Sequence, residues 1–242
     1  MFSFDASKDW VVLISPEVPA AKKAGEELAH YIELLRKQAG LIQKVPIQDT
    51  SEPAPHDYIP QILLTTTGEG GNQNGFSWRA GNDRIEICGV SGPGLREGVF
   101  DFLSALGIGW PERTRERLPP PDRAHPYVYD LRTARANAPS GTGKIRRRRL
   151  IFGKFPLTKN DVSWIIWAAR NKADAVVLPL RDDAYSPELS GKSSRDALVK
   201  TAEQYGLIIE RGGWDLSLLV PRRLFRSNRE LFRMDRGKRK KD

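Results

Sequence analysis

Two short stretches of this 242-residue sequence hold side chains able to do chemistry, and each follows an apolar run. After Ala175-Val176-Val177-Leu178-Pro179-Leu180 come Arg181, Asp182, Asp183 and Tyr185. After Leu207-Ile208-Ile209 come Glu210, Arg211, Gly212, Gly213, Trp214 and Asp215. Carboxylates accept hydrogen bonds from hydroxyl groups, a guanidinium donates to them, and an indole offers a flat apolar face. That set suits a polyhydroxylated ring. The plain alternative stands beside it: Asp182 and Asp183 cap a loop after a strand, and Trp214 packs.

Other chemistries find less support. The three histidines, His30, His56 and His125, fall on a helix, a Pro-rich loop and a linker, and no His-x-x-x-His or mixed His/Cys spacing occurs. No metal is expected, and no cofactor. Cys88 is the single cysteine, which excludes an internal disulfide; it ends a strand and reads as core. Gly92-Pro93-Gly94-Leu95-Arg96-Glu97-Gly98 follows a strand and opens a helix, but its third glycine comes one place too late for a dinucleotide fingerprint. It reads as a tight turn into a closely packed helix. Ser140-Gly141-Thr142-Gly143-Lys144-Ile145 lacks the first glycine and the Ser or Thr of a phosphate loop, and reads as linker. No nucleophile elbow of the form G-x-S-x-G is present.

The elements that must carry these residues fall into two rhythms. Trp10–Ile14 is a strand, and Ala21, Ala24, Leu28, Tyr31, Ile32 and Leu35 recur at helical spacing up to Gly40. Lys22, Lys23, Glu26, Glu27, Glu33 and Arg36 fall on the polar face of that helix. Weak strand signal around Val45–Ile47 and a clear run Ile62–Thr65 follow. Phe76–Ala80 and Arg84–Cys88 alternate around Gly81-Asn82-Asp83 and predict a hairpin. A helix over 95–106 then buries Val99, Phe102, Leu103 and Leu106. This is an α+β unit with helices on a small mixed sheet. From 145 onward the order changes to strand (150–152), helix from Thr158, strand (175–180), helix from Ser193 or Ser194 to Gly206, and strand (207–210). That alternation predicts parallel β-α units. The expected division is 1–128, a linker over 129–144, and 145–242.

Composition bounds the rest. With 39% hydrophobic and 29% charged residues the chain can bury a core. No run of about 18 apolar residues occurs, and the start lacks the layout of a secretion signal. A soluble, cytoplasmic chain with no membrane partner is expected. The net charge is +9, and residues 211–242 alone hold 11 basic against four acidic side chains. Lys144–Arg149 adds five basic residues in six. Without stacking aromatics between them, such tracts read as solvated surface, and a nucleic-acid partner is not expected.

The second half resembles the opening of the barrel in family-20-type glycoside hydrolases, the β-N-acetylhexosaminidase group. The matching pieces are Arg148 before Leu150-Ile151-Phe152, then Ala169-Arg170-Asn171-Lys172-Ala173-Asp174, then Leu180-Arg181-Asp182-Asp183. Gly206-Leu207-Ile208-Ile209-Glu210 with Gly213-Trp214 follows. The first half is similar to the accessory domain that precedes the barrel in hexosaminidases and α-glucuronidases. It carries Gly89-Val90-Ser91-Gly92 and the run from Val99-Phe100-Asp101-Phe102-Leu103 to Leu106-Gly107-Ile108-Gly109-Trp110-Pro111. The resemblance implies an accessory α+β domain followed by an incomplete TIM-type β/α barrel segment of about three units. It implies carbohydrate as ligand, with Arg148, Asp182, Asp183, Glu210 and Trp214 as the sugar-binding set. Two departures matter. Trp214 stands where the family has histidine, and the family's catalytic acid comes from an Asp-Glu pair that this sequence lacks.

The resulting expectation is a bacterial glycoside-hydrolase-related protein, truncated in the barrel, that binds carbohydrate and has no catalytic residue of its own. A non-catalytic carbohydrate-binding module is the alternative, and a basic nucleic-acid-interacting protein ranks below it. The three late strands read as apolar on both faces, with an open edge that invites self-association.

Overall fold

The computed structural model describes residues 3–15, 19–51, 59–67, 75–131, 148–152, 157–178, 192–212, 234–235 and 238–239. Its elements follow the expected order with small additions. Strands β1 (Ser3–Asp5) and β2 (Val11–Ile14) precede helix α1 (Pro19–Gln38). Then come β3 (Ile47–Asp49), β4 (Gln61–Thr66), β5 (Phe76–Ala80), β6 (Arg84–Gly89) and helix α2 (Gly92–Ala105). The hairpin β7 (Gly109–Glu112) and β8 (Arg115–Arg117) and strand β9 (Val128–Asp130) close this part. The second part holds β10 (Arg149–Ile151), α3 (Val162–Arg170), β11 (Ala175–Leu178), α4 (Lys192–Gln204) and β12 (Ile208–Arg211). A short antiparallel pair, β13 (Met234–Asp235) and β14 (Lys238–Arg239), follows.

The larger sheet has the order β3-β2-β4-β6-β5, parallel throughout except for the β5–β6 hairpin. Its register aligns Val12, Ile62 and Ile85 in one row and Leu64, Ile87 and Trp78 in the next. All of these are buried, because alternate residues of a strand share one face. Cys88 falls on the opposite parity and is only half-buried, so it is not a core residue. β1 pairs antiparallel with β9, which brings Phe4 opposite Tyr129.

Helix α2 follows the turn that the glycine-rich stretch requires. Ser91 is its N-cap, and the Ser91 hydroxyl accepts from Gly94 N–H at 3.3 Å. Gly98 lets the helix settle on the sheet, since a Cβ there would stand 2.9 Å from Ile87 Cγ2. The expected Val99, Phe102, Leu103 and Leu106 are buried, but so are Arg96, Glu97 and Phe100. A helix buried all round lies between two layers. One layer is the five-stranded sheet, and the other is the second part of the chain.

That second part is a parallel β-α-β-α-β unit, order β10-β11-β12. Thr158 and Asp161 start its first helical segment: Asp161 Oδ2 accepts from Thr158 N–H at 2.8 Å and from the Thr158 hydroxyl at 3.0 Å, and Asp161 N–H closes the turn on the main-chain carbonyl of Thr158 at 3.0 Å. Both helices end in six-to-one closures, Ala173 N–H to Ala168 O and Leu207 N–H to Ala202 O, each 2.8 Å. Gly206 supplies the left-handed residue for α4, whereas Lys172, at φ 61°, does so for α3. Lys172 is held there by its ammonium on Asp101 Oδ1 at 2.5 Å. The expectation that all three strands are apolar on both faces holds only for β11. Arg149 and Ile151 of β10 are exposed and β12 is partly exposed. One continuous apolar cluster runs from Phe4 and Trp10 through Leu28 and Phe102 to Ile165, Leu198 and Leu207.

Candidate functional site

The three-stranded sheet has two unlike faces. Val176 and Leu178 belong to the core, with Leu150 and Ile209 packed against it. The opposite parity places Arg149, Ile151, Ala175, Val177, Ile208 and Glu210 on the face turned away from the helices. Here the register sets Glu210 level with Val177, and Val177 level with Ile151. Arg149 Nε donates to Glu210 Oε2 at 2.7 Å across the middle strand, with both side chains partly open to solvent. A Cβ at Gly212 would lie 3.5 Å from Val177 Cγ1, so the chain stays close to the sheet as it leaves β12. The result is a carboxylate paired with a guanidinium on an otherwise apolar floor. Such a pair can accept from and donate to neighbouring hydroxyl groups.

The sequence-predicted residues divide. Glu210 lies on this face. Arg148 does not reach it: its main-chain N–H donates to Asp174 Oδ2 at 2.5 Å and its carbonyl accepts from Asp174 and Ala175 N–H at 2.9 and 3.2 Å. These bonds put Arg148 where β10 and β11 begin, about 10 Å before Glu210 at roughly 3.3 Å per residue. Asp182, Asp183 and Trp214 lie outside the described residues. The sequence reading missed Arg149. The signal was parity, because a helix-facing Leu150 turns Arg149, not Arg148, to the opposite face. Among the described residues no group of three His, Cys, Asp or Glu side chains could hold a metal ion. No helix among them is long and apolar enough to cross a membrane.

A second polar cluster joins the two parts of the chain. Tyr205 donates its hydroxyl to Glu27, and Arg170 bonds Glu27 Oε2 at 3.1 Å and Glu116 Oε1 at 2.6 Å. Tyr31 donates to Glu116 at 2.8 Å and accepts from Trp110 Nε1 at 2.6 Å. Burial raises both phenols, Tyr31 and Tyr205, well above the ordinary tyrosine value. Burial works against the charge of Arg170, but Glu27, Tyr31, Glu116 and Tyr205 outweigh it and hold the guanidinium protonated. Tyr, Glu and Arg together serve catalysis in open clefts. Here Glu27 is buried among helices α1, α3 and α4, so the cluster fastens rather than reacts. Glu27 and Arg36 fell on the polar face of α1 in the sequence reading. Both are buried, Arg36 because it donates to the carbonyls of Ala6 at 2.8 Å and Lys44 at 3.1 Å.

No family model matches the sequence, and no curated protein does. Solved structures do match. The chain is similar to a GH20 β-N-acetylhexosaminidase from Streptomyces coelicolor A3(2), with a TM-score of 0.54 at 15% identity over 87% of this chain and 42% of that one. It is similar to a GH20 exo-β-N-acetylglucosaminidase from Vibrio harveyi in complex with N-acetylglucosamine, with a TM-score of 0.53 at 13% identity over 87% and 33%. It also resembles a GH138 enzyme targeting pectin rhamnogalacturonan II, with a TM-score of 0.51 at 11% identity over 86% and 31%. The chain thus spans about a third to two fifths of the length of these structures. Likeness at such identities is likeness of fold: a mixed α+β architecture matching an N-terminal part of glycoside-hydrolase structures.

Proposed function

We propose that β10, β11 and β12 are the opening strands of a β/α barrel in a carbohydrate-binding, glycoside-hydrolase-related protein. The face bearing Arg149 and Glu210 would be the one the barrel encloses. The observation that carries this reading is the asymmetry of the small sheet. Among the described residues the helices pack on the side of Val176 and Leu178, and the other side presents the ion pair of Arg149 and Glu210. The likeness of fold to carbohydrate-active enzymes supports the same reading. Glu210 and Arg149 would bind sugar hydroxyls, with Asp182 and Asp183 after β11 and Trp214 after β12 supplying further acceptors and a stacking face. Arg148 would act on the frame instead, tying β10 to the start of β11.

This chain holds no Asp-Glu pair for the acid step, and loss of a general acid costs about 10²–10⁴ in rate. The expected outcome is binding without turnover. Titration calorimetry with N-acetylglucosamine oligomers should show saturable binding that weakens about tenfold or more in Glu210→Gln. Release of nitrophenol from aryl hexosaminides or glucuronides should stay at background. Nitrophenol release that Asp183→Ala abolishes would overturn the assignment of the chain as non-catalytic. Absence of any glycan binding would overturn the carbohydrate reading.

A further inference from the structure

Among the described residues Lys172 is the one residue other than glycine with a positive φ, 61°. It stands just past α3, where the chain turns left-handed so that Ala173 N–H reaches Ala168 O at 2.8 Å. Helix α4 ends by the same closure and places Gly206, at φ 63°, in that position. Glycine adopts this conformation freely, whereas a Cβ there crowds the following carbonyl. Strain that glycine would relieve persists where the surroundings hold the residue in place. The question is what the lysine side chain supplies.

Three consecutive residues of this turn are bonded to the first part of the chain. Asn171 Nδ2 donates to Trp110 O at 3.2 Å, Lys172 Nζ donates to Asp101 Oδ1 at 2.5 Å, and Ala173 O accepts from Arg96 Nη2 at 2.9 Å. Asp101 is set from that side too, since its Oδ2 accepts from Trp78 Nε1 at 3.0 Å. The fourth residue, Asp174, holds the strands. Its Oδ2 accepts from Arg148 N–H at 2.5 Å, and its own N–H donates to Arg148 O at 2.9 Å. Its carbonyl accepts from Ile208 N–H at 2.9 Å. Residues 171–174 therefore fasten to the first part and fix where β10 and β12 begin beside β11. Arg149 follows Arg148 directly, and Glu210 lies two residues after Ile208. The same bonds thus set the level at which those two side chains meet.

We propose that Lys172 is a positioning residue for the face of Arg149 and Glu210. Its ion pair with Asp101 holds the turn after α3 against the first part of the chain, in a backbone conformation that lysine by itself disfavours. Through Asp174 that turn sets the register in which Arg149 meets Glu210. The proposal rests on the reading of this face as a glycan site. Glycine at position 172 would suit the turn but could not reach Asp101. Strain and tie would vanish together, two changes of opposite sign for stability. Folding and positioning are thus separable at this one residue.

The test uses the full chain and three variants: Lys172→Gly, Lys172→Arg, which keeps the cation, and Asp101→Asn, which keeps the lysine and an acceptor for Trp78. Nitrogen-15 NMR of the Arg149 Nε–H reports its bond to Glu210 without any ligand, and Glu210→Gln marks the resonance when that carboxylate is gone. In Lys172→Gly and Asp101→Asn the resonance should move toward the Glu210→Gln position, and in Lys172→Arg it should stay near wild type. Calorimetry with N-acetylglucosamine oligomers should show affinity lower by about three- to thirtyfold in the first two. The urea midpoint of Lys172→Gly should stay near that of wild type. An unmoved resonance in Lys172→Gly sinks the proposal, and with a lowered midpoint it marks a purely structural lysine. A moved resonance with unchanged affinity sinks it as well. If the wild-type chain binds no glycan, the carbohydrate reading fails, and the NMR comparison still decides the role of Lys172. Should Lys172→Gly fail to fold, Asp101→Asn carries the same decision.

Discussion

The five-stranded and three-stranded sheets are both parallel at heart, yet they are stabilised differently. The larger sheet has its own cover: α1 and α2 pack on the row formed by Val12, Ile62, Leu64, Ile85, Ile87 and Trp78. The smaller one borrows. Its two helices end on Arg96 of the other part, its Arg170 is neutralised by Glu27 and Glu116, and the indole of its Trp167 donates to Trp110 O at 3.0 Å. Region one supplies donors, acceptors and apolar surface that region two needs. The reverse traffic is slight, since the core row of the large sheet is filled from within. The difference teaches that the first region is a platform, and that the second is folded against it.

The hardest way to break this comparison is to damage the platform. A methyl group at Gly89 would stand 2.1 Å from Leu95 N, 2.6 Å from Leu95 Cα and 2.7 Å from Ser91 O, all backbone atoms that cannot swing aside. Gly89→Ala should therefore cost about 3 kcal/mol or more. It should abolish both regions in one denaturation transition. Survival of the Trp164 and Trp167 fluorescence transition in that variant would make the second region independent. A milder cut removes only the shared cap. Arg96→Met leaves the carbonyls of Ala173 and Tyr205 without their donor, each worth about 1–3 kcal/mol when buried. Exchange protection should fall in residues 171–178 and 205–211 and persist in β4 and β6; uniform loss would contradict the platform. The smallest effect belongs to the face of Arg149 and Glu210. A double-mutant cycle on Arg149→Met and Glu210→Gln should give a coupling of about 0–1 kcal/mol that salt weakens, as for an exposed pair. A coupling above about 2 kcal/mol would mean that this face is sealed from water.

Much of the frame was legible in the sequence because its signals are local. Ser91 with Gly92-Pro93-Gly94, Thr158 with Asp161, and Gly206 each fix a helix end by their own chemistry. The β5–β6 hairpin announces itself by alternation around Gly81-Asn82-Asp83. Long-range pairings left no such mark. Three-residue strands such as Ser3–Asp5 and Val128–Asp130 are too short to show a period, and β7–β8 is mostly charged. Arg96 and Glu97 look like two more polar residues on an amphipathic helix. Only the presence of a second layer across the helix makes them buried, and that layer comes from residues more than 70 positions away. The site was half legible for the same reason: Glu210 could be placed at a strand end, whereas Arg149 needed the facing of its strand.

The pairing of β1 with β9 has a consequence of another kind. Phe4 and Tyr129 are partners across adjacent strands, so the polypeptide enters and leaves its first 130 residues at nearly one place, about 5 Å apart. A segment whose two ends meet can be spliced into a host chain, or removed from it, through a single gap without disturbing what lies on either side. The antiparallel clasp of Ser3–Asp5 on Val128–Asp130 gives the platform the geometry of a cassette.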